Sequence, residues 1–297
     1  MTAVFSHPAC LDHPAPAGFP EQPDRLGVLL QRLKERGPDY IRTAEPAEPD
    51  LLLTVHAANY LSNLKRICES GGGMAGPEAE LGPESWNAIL SAAGAVRDAV
   101  DYAHAGHGHS FAAIRPPGHH ALGDGAMGFC FVNHAAVAAH HARSLGRERC
   151  LIIDWDVHHG NGTQSIVESD PAIRFVSLHQ SPWYPGTGAA DERGVGNIFN
   201  CPNPPGLPPA HYIGELWRGI TAALDSWAPG MVILSAGYDC LLGDPLGGFT
   251  LEPEHVAEWV RRLRDRLPGT PVVGVMEGGY APSGLAEGVI ATLGALD

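Results

Sequence analysis

Cys150-Leu151-Ile152-Ile153-Asp154-Trp155-Asp156-Val157-His158-His159-Gly160 is the stretch that decides how this chain reads. Its first four residues are apolar and β-prone, as in a strand buried on both faces. Asp154, Asp156 and His158 then recur at every second position, where the apolar run stops. In an extended chain such positions share one face. A carboxylate and an imidazole aimed the same way from a strand end form half of a metal site. A solvated strand end is the blander reading. It fits less well, because charge at the end of a buried strand needs a partner.

Outward from this stretch, short apolar runs alternate with longer helical patterns. The runs Ala3–Ser6, Ser110–Ile114, Cys150–Asp154, Arg174–Leu178, Val232–Ser235 and Val272–Val275 predict strands. Helices are predicted over Arg25–Arg36, Ala57–Cys68, Glu84–His104, Val132–Leu145, Tyr212–Trp227, Glu254–Leu267 and Ser283–Leu296. Strands alternating with helices imply an α/β fold with a mostly parallel sheet between two helical layers. No Gly/Ser linker, repeat or low-complexity tract interrupts the 297 residues, so a single domain over 1–297 is expected. The unusual residues all fall just past strand ends. They are Gly118-His119-His120, Asp156 and His158, His179 to Gly188, Gly237-Tyr238-Asp239 and Glu277-Gly278-Gly279-Tyr280. Open α/β sheets bind ligands along that edge.

Composition narrows the partners. Nineteen basic against 33 acidic residues give a formal charge of −14. That argues against sequence-independent nucleic-acid binding and suits encounter with cationic substrates such as lysine-rich peptides or polyamines. The six cysteines, Cys10, Cys68, Cys130, Cys150, Cys201 and Cys240, form no CxxC pair. They read as reduced core residues of a cytoplasmic protein. The first ten residues lack a basic n-region and a long apolar h-region, and no run approaches the roughly 18 apolar residues of a membrane span. A soluble protein with no membrane partner is expected.

The clusters imply a chemistry. Asp156 and His158 need a third protein ligand to make a catalytic metal site, and Asp239 is the best candidate. A His/Asp/Asp set without cysteine suits Zn²⁺, with Fe²⁺ or Co²⁺ as substitutes. His119 and His120 suit general base and general acid roles beside an activated water. Asp154 could orient one of them and Asn161 the other. Tyr280 can donate a hydrogen bond to a developing oxyanion. Phe129 and Tyr184, on loops beside the same edge, could face each other as walls of a narrow channel for an aliphatic chain. Taken singly, each of these residues could be ordinary packing or a surface side chain.

Eight segments in this order resemble the histone deacetylase superfamily, which includes acetylpolyamine amidohydrolases and acetoin-utilisation proteins. They are RPPGHHA (115–121), GFCFVNHAA (128–136), IDWDVHHGNGTQ (153–164), SLH (177–179), YPGTG (184–188), SAGYD (235–239), GDPLGGF (243–249) and EGGY (277–280). The resemblance implies the arginase-deacetylase fold, a Zn²⁺ ion on Asp156, His158 and Asp239, and an acid/base pair at His119 and His120. It implies that Tyr280 polarises the scissile carbonyl. Gly128, Phe129, Tyr184, Leu246 and Gly278 would contact substrate, with Phe129 and Tyr184 along an acyl-lysine tunnel. A structural K⁺ would sit on Asp154, Ser177 and the main-chain carbonyls of Asp156, His158 and Leu178. Glu80 is the candidate for an acidic residue at the rim.

Variant details lean toward the class II branch. Asn161 stands where class I members carry Asp, and Tyr280 is a tyrosine rather than the histidine of weakly active class IIa members. The run Asp244-Pro245-Leu246-Gly247-Gly248 favours acyl-lysine over acetylpolyamine. The expected reaction is hydrolysis of an Nε-acyl-lysine amide in a protein or peptide. The alternatives are an acetylpolyamine amidohydrolase with the same chemistry, an arginase-like enzyme with two Mn²⁺ ions, and a catalytically idle acyl-ligand sensor. A homodimer or tetramer is the expected assembly.

Overall fold

A computed structural model describes residues 2–16, 18–37 and 40–297. Ten strands and eight α-helices follow one another as β1 (Ala3–Ser6), α1 (Asp24–Lys34), β2 (Ile41–Thr43), α2 (Ala58–Glu69), β3 (Gly73–Gly76), β4 (Ala79–Leu81), α3 (Ser85–His104), β5 (Ser110–Ala112), α4 (His134–Ser144), β6 (Cys150–Asp154), α5 (Asn161–Val167), β7 (Ile173–Gln180), β8 (Ile198–Asn203), α6 (Pro209–Ala223), β9 (Met231–Ala236), α7 (Pro253–Arg266), β10 (Val272–Met276) and α8 (Pro282–Leu296). Eight strands form one sheet in the order β2-β1-β5-β10-β9-β6-β7-β8, and every pairing in it is parallel. β3 and β4 make a separate antiparallel hairpin.

The helices cover both faces. α3 and α4 pack against β1, β5, β6, β9 and β10, whereas α1, α6, α7 and α8 pack among themselves and against β2, β7 and β8. This is the three-layer α/β/α arrangement that the alternating pattern predicts. β6, β9 and β10 are buried along their whole length, which explains their near-continuous apolar sequences. The six cysteines are free and buried. Among the described residues, no helix is long and apolar enough to cross a membrane.

Several boundaries differ from the sequence pattern. β5 stops at Ala112, two residues before the expected Ile114, where the chain turns toward Pro116 and Pro117, which carry no N–H for a ladder. α6, α7 and α8 each begin on a proline ahead of the expected start. Proline at the first helical position sacrifices only an N–H with no helical partner. α6 also ends at Ala223 instead of Trp227, short of Ser226, whose φ is +52°. β2, β3, β4, β8 and α5 are not foreseen. β2 has three residues and is mostly exposed. β8 is a sheet edge carrying two asparagines and a proline, and the hairpin strands are short, β3 with glycine at both ends.

Because all the sheet strands run the same way, the C-terminal ends of β5, β6, β7, β9 and β10 open onto one edge. Asp154 ends β6 directly between Ser177 of β7 and Ser235 of β9.

Candidate active site

Past Asp154, the chain keeps its alternation by bonding to itself. The Asp156 N–H donates to Asp154 Oδ1 at 3.0 Å, and the His158 N–H to Asp156 Oδ1 at 3.0 Å. The intervening Val157 N–H donates to Asp239 Oδ1 at 2.8 Å, which draws the turn after β9 onto the turn after β6. His158 Nδ1 then lies 3.0 Å from Asp156 Oδ1 and 3.1 Å from Asp239 Oδ2. One ligand atom from each of Asp156, His158 and Asp239 falls within 4.8 Å of the others, and all three side chains are buried. Gly278, expected to contact substrate, is instead placed against these carboxylates and is absent from the pocket lining. Its N–H donates to Asp156 Oδ2 at 2.8 Å, and a β-carbon there would collide with both aspartates.

The charges are strongly coupled. Burial alone would raise the Asp156 carboxyl. The charge on His119 and the hydrogen bond from His158 outweigh that and hold it well below the usual carboxylate range. Burial and the neighbouring Asp156 push Asp239 up to about 7. Burial would lower His158, but its bonds to Asp156 and Asp239 raise it to about 10. Two carboxylates facing one imidazole in a buried place are satisfied only by positive charge. With oxygen and nitrogen donors and no sulfur, the set fits a divalent ion of hard-to-borderline character.

His119 and His120 lie beside this cluster, their ring centroids 4.1 Å apart. The expected orienting partners are in place. His119 Nδ1 donates to Asp154 Oδ2 at 3.1 Å, and His120 Nδ1 to Asn161 Oδ1 at 2.7 Å. Asn161 is fixed in that sense because its amide nitrogen points to Met127 Sδ at 3.3 Å. A neutral His120 therefore carries its proton on Nδ1 and presents a bare Nε2. Burial, reinforced by the positive charges of His119 and His158, pulls His120 well below the usual imidazole range. Burial acts the same way on His119, but Asp156 and Asp154 overcome it and raise His119 well above that range.

Two supports of the site escape a reading by local spacing. Glu277, at the end of β10, accepts from the N–H groups of Gly118 and His119 at 2.7 and 3.0 Å and from Ser235 Oγ at 3.2 Å. Burial pushes its carboxyl up to about 7. The signal was the one already used for Asp154, an acid closing a wholly apolar strand. The second support is a buried triad. Glu21 accepts from Arg115 at 2.7 and 2.8 Å and from Arg25 at 2.7 Å. Arg25 also donates to the carbonyls of Gly279 and Glu277 at 2.6 and 2.5 Å, and its guanidinium sits 4.8 Å from the centre of the Tyr280 ring. The Tyr280 N–H donates to Asp244 Oδ2 at 2.6 Å.

A pocket of about 360 Å³ opens above these groups. Phe129, Tyr184 and Leu246 line it as expected, together with Gly128, His120, His158 and Tyr280. His119 does not line it. Gly128 has φ +53°, and a β-carbon there would come within 2.6 Å of His120 Cδ2. Phe19, Glu78 and Trp183 also line the pocket and were not foreseen. Glu78, not the expected Glu80, reaches this pocket; Glu80 lines two other clefts. Trp183 is 46% exposed and its indole N–H donates to the Leu246 carbonyl at 2.9 Å, so two rim loops are tied together.

The residues expected around a monovalent cation are also neighbours. Asp154 pairs with Ser177 across β6 and β7, and Leu178 follows in the same strand. Among the described residues, no hydrogen bond reaches the main-chain oxygens of Asp156 or His158. His159 turns away from the pocket and bonds to Thr187 and Gln164.

The chain belongs to the histone deacetylase family: residues 19–296 match its histone deacetylase domain. It is an amide hydrolase of the deacetylase type. It is 37% identical over 281 residues to the histone deacetylase-like amidohydrolase of Pseudomonas aeruginosa, covering 90% of this chain and 74% of that one. It is 33% identical to the human polyamine deacetylase HDAC10, over 92% of this chain and 44% of that one. Among solved structures, the HDA15 HD domain superposes with a TM-score of 0.94 at 34% identity, covering 99% of this chain and 90% of that one. An acetylpolyamine aminohydrolase from Burkholderia pseudomallei superposes with a TM-score of 0.91 at 24% identity, covering 100% and 98%, a likeness of fold.

Proposed function

We propose that this chain hydrolyses Nε-acyl-lysine amides in proteins or peptides, with acetyl as the first acyl group to test. The observation that carries this reading is the convergence of Asp156, His158 and Asp239 within 4.8 Å, beside an oriented histidine pair at an aromatic-walled pocket. The three residues would hold one Zn²⁺, with Fe²⁺ or Co²⁺ as substitutes. Bound there, the metal would polarise the amide oxygen and bring the pKa of a water toward ~7. The uncovered carbonyls of Asp156 and His158, with Asp154, Ser177 and the Leu178 carbonyl, would hold K⁺ and stiffen the turn that carries His158.

The chain's own residues then have separate tasks. Phe129 and Tyr184 enclose the alkyl part of the substrate and exclude water around it. His120 lines the pocket with Nε2 bare, so it takes the proton of the attacking water and delivers it to the leaving amine nitrogen. His119 stands behind it, bonded to Asp154, and positions the pair electrostatically. Tyr280 donates a hydrogen bond to the amide oxygen as negative charge develops there. The products are a free amine and a carboxylate. We infer a cytoplasmic location from the six scattered cysteines, all free and buried.

Turnover by the zinc-loaded protein of an acetyl-lysine peptide and of N-acetylputrescine, measured side by side, tests the reading. Faster turnover of the peptide is expected; equal or faster turnover of the polyamine would reverse the assignment. A polyamine substrate is the second reading because Glu78 is a carboxylate on an otherwise aromatic rim. Binding of a hydroxamate with no turnover of any acylated amine would make the chain a sensor. Among the described residues, a single group of three metal-capable side chains occurs, which favours one divalent ion over an arginase-like pair.

A further inference from the structure

A second cleft opens at the opposite edge of the sheet. It measures about 640 Å³, against about 360 Å³ for the catalytic pocket. The loop entering β5 supplies Gly106 and His109, the loop entering β10 runs along it from 267 to 271, and α7 contributes Arg261 and Arg264. Arg147, just ahead of β6, completes the wall. β5 and β10 are parallel neighbours, so their entering loops meet at the edge away from His119, His120 and Tyr280.

Three guanidiniums gather here in a chain with 33 acidic and 19 basic residues. Among the described residues, none of the three has a carboxylate within ion-pair distance. Arg147 donates to Nδ1 and the carbonyl of His104 at 3.2 and 3.0 Å. Arg264 donates to the Ala295 carbonyl at 2.8 Å. Arg261 is exposed, and among the described residues its guanidinium makes no hydrogen bond or ion pair. The adjacent Arg262, by contrast, is closed by Glu258 at 3.5 Å. His109 adds a directed donor. Its Nδ1 accepts from the Val272 N–H at 3.1 Å, so a neutral ring carries its proton on Nε2. Among the described residues, Asp265 is the one carboxylate lining the cleft, and the charge of Asp297 reaches His109 from nearby.

We propose that this cleft binds a small phosphate-bearing molecule. The planar guanidinium fork matches phosphate oxygens, and such charge-assisted contacts are stronger than neutral ones. Arginines already committed to carbonyls on one side, as Arg147 and Arg264 are, present their remaining donors in a fixed direction. A cleft of this volume exceeds what an inorganic anion fills. Gly106 and Gly269 leave its rim open, since a β-carbon on either would meet nothing within 4 Å. Asp265 can accept from a hydroxyl or amino group of the same ligand.

Titration calorimetry of AMP, and separately of inorganic phosphate, into the zinc-loaded full chain tests this. At least one should bind with a stoichiometry of one per chain, and more weakly as salt is raised. Arg261→Gln should weaken binding about tenfold, the worth of one charge-assisted contact, while turnover of an acylated substrate stays unchanged. That variant keeps the fold, because Arg261 is exposed and holds nothing in place; adding Arg264→Gln should abolish binding. A hydroxamate filling the catalytic pocket should leave AMP or phosphate bound. Absence of binding by both probes, full affinity in Arg261→Gln, or displacement by the hydroxamate would each overturn the proposal.

Discussion

In the proposed reaction the Tyr280 hydroxyl acts at a single moment, when the amide oxygen becomes anionic. Burial raises its phenol well above the usual range, against the pull of Arg25, so it remains a donor at any working pH. Tyr280→Phe should lower kcat by on the order of 10²–10³ with KM little changed; steady-state kinetics showing undiminished kcat would remove Tyr280 from the reaction. At this scale much of the site was legible. The alternation Asp154, Asp156, His158 requires only that an extended chain point every second side chain the same way. Asp239 and the His119–His120 pair follow from charge placed past strand ends. Glu277, Glu21 and Arg25 were not legible by spacing. Apart from the Glu21–Arg25 pair, four residues apart, their partners lie 42 to 254 residues away, and no local period encodes a contact of that separation. The choice between Glu78 and Glu80 was equally hidden, because it depends on how a hairpin tip docks. The Phe129 N–H donates to the Glu78 carbonyl at 3.0 Å, and that contact sets which acid faces the pocket.

Between elements, buried polar bonds hold the catalytic turns together. Glu21 joins the approach to α1 to the end of β5 through Arg115 and to the turn after β10 through Arg25. Its carboxyl is held at about 2; burial opposes ionisation, and the two guanidiniums overcome it. Removing the charge strands two buried cations. Glu21→Gln should cost about 3–5 kcal/mol, visible as a lowered denaturation midpoint, whereas Glu80→Gln, at an exposed position, should leave the midpoint in place. A Glu21→Gln protein as stable as the parent would refute this role. The Trp183–Leu246 link acts on the rim instead. Trp183→Ala removes an aromatic wall and frees both loops, so KM for an acyl-lysine peptide should rise several-fold with kcat nearly unchanged. A fall in kcat alone would place Trp183 in the chemistry. Elements with strong periods, such as α3 and β6, were read to within a residue, whereas β2, β8 and the β3–β4 hairpin were missed. Their sequences are short, polar or glycine-rich, and they become strands because a neighbouring edge supplies hydrogen bonds.

Taken whole, the molecule should be acid-labile. Burial lowers His13 and His56 to about 4 and His134 to about 3. In the unfolded chain the same imidazoles titrate near 6.5. Between those values the unfolded state binds more protons, so stability falls as pH drops from about 6.5 toward 4. Glu21 adds a loss in the same direction, from the ordinary glutamate range down to about 2. The raised carboxyls of Asp239 and Glu277 act the other way, but His159 and His179, lowered by burial to about 4 and about 3, join the destabilising set and outnumber them. Denaturant midpoints at pH 7.5 and 5 should differ, with the lower value at pH 5, and equal midpoints would refute a net acid loss. The class of fold was legible at this scale because strand and helix periods alternate along nearly the whole chain. Strand order was not, since it is set by which crossovers pack, and no sequence run states its neighbour.

That order has a consequence for synthesis on the ribosome. β10 lies between β5 and β9, so the early strands β2, β1 and β5 and the later strands β9, β6, β7 and β8 meet only through it. A nascent chain emerges as two half-sheets, each with a bare hydrogen-bonding edge, until residues 272–276 leave the exit tunnel. Those same residues deliver Glu277 and Tyr280. Nascent chains thus remain both catalytically silent and prone to edge-to-edge association until the segment from 272 to 280 has been translated.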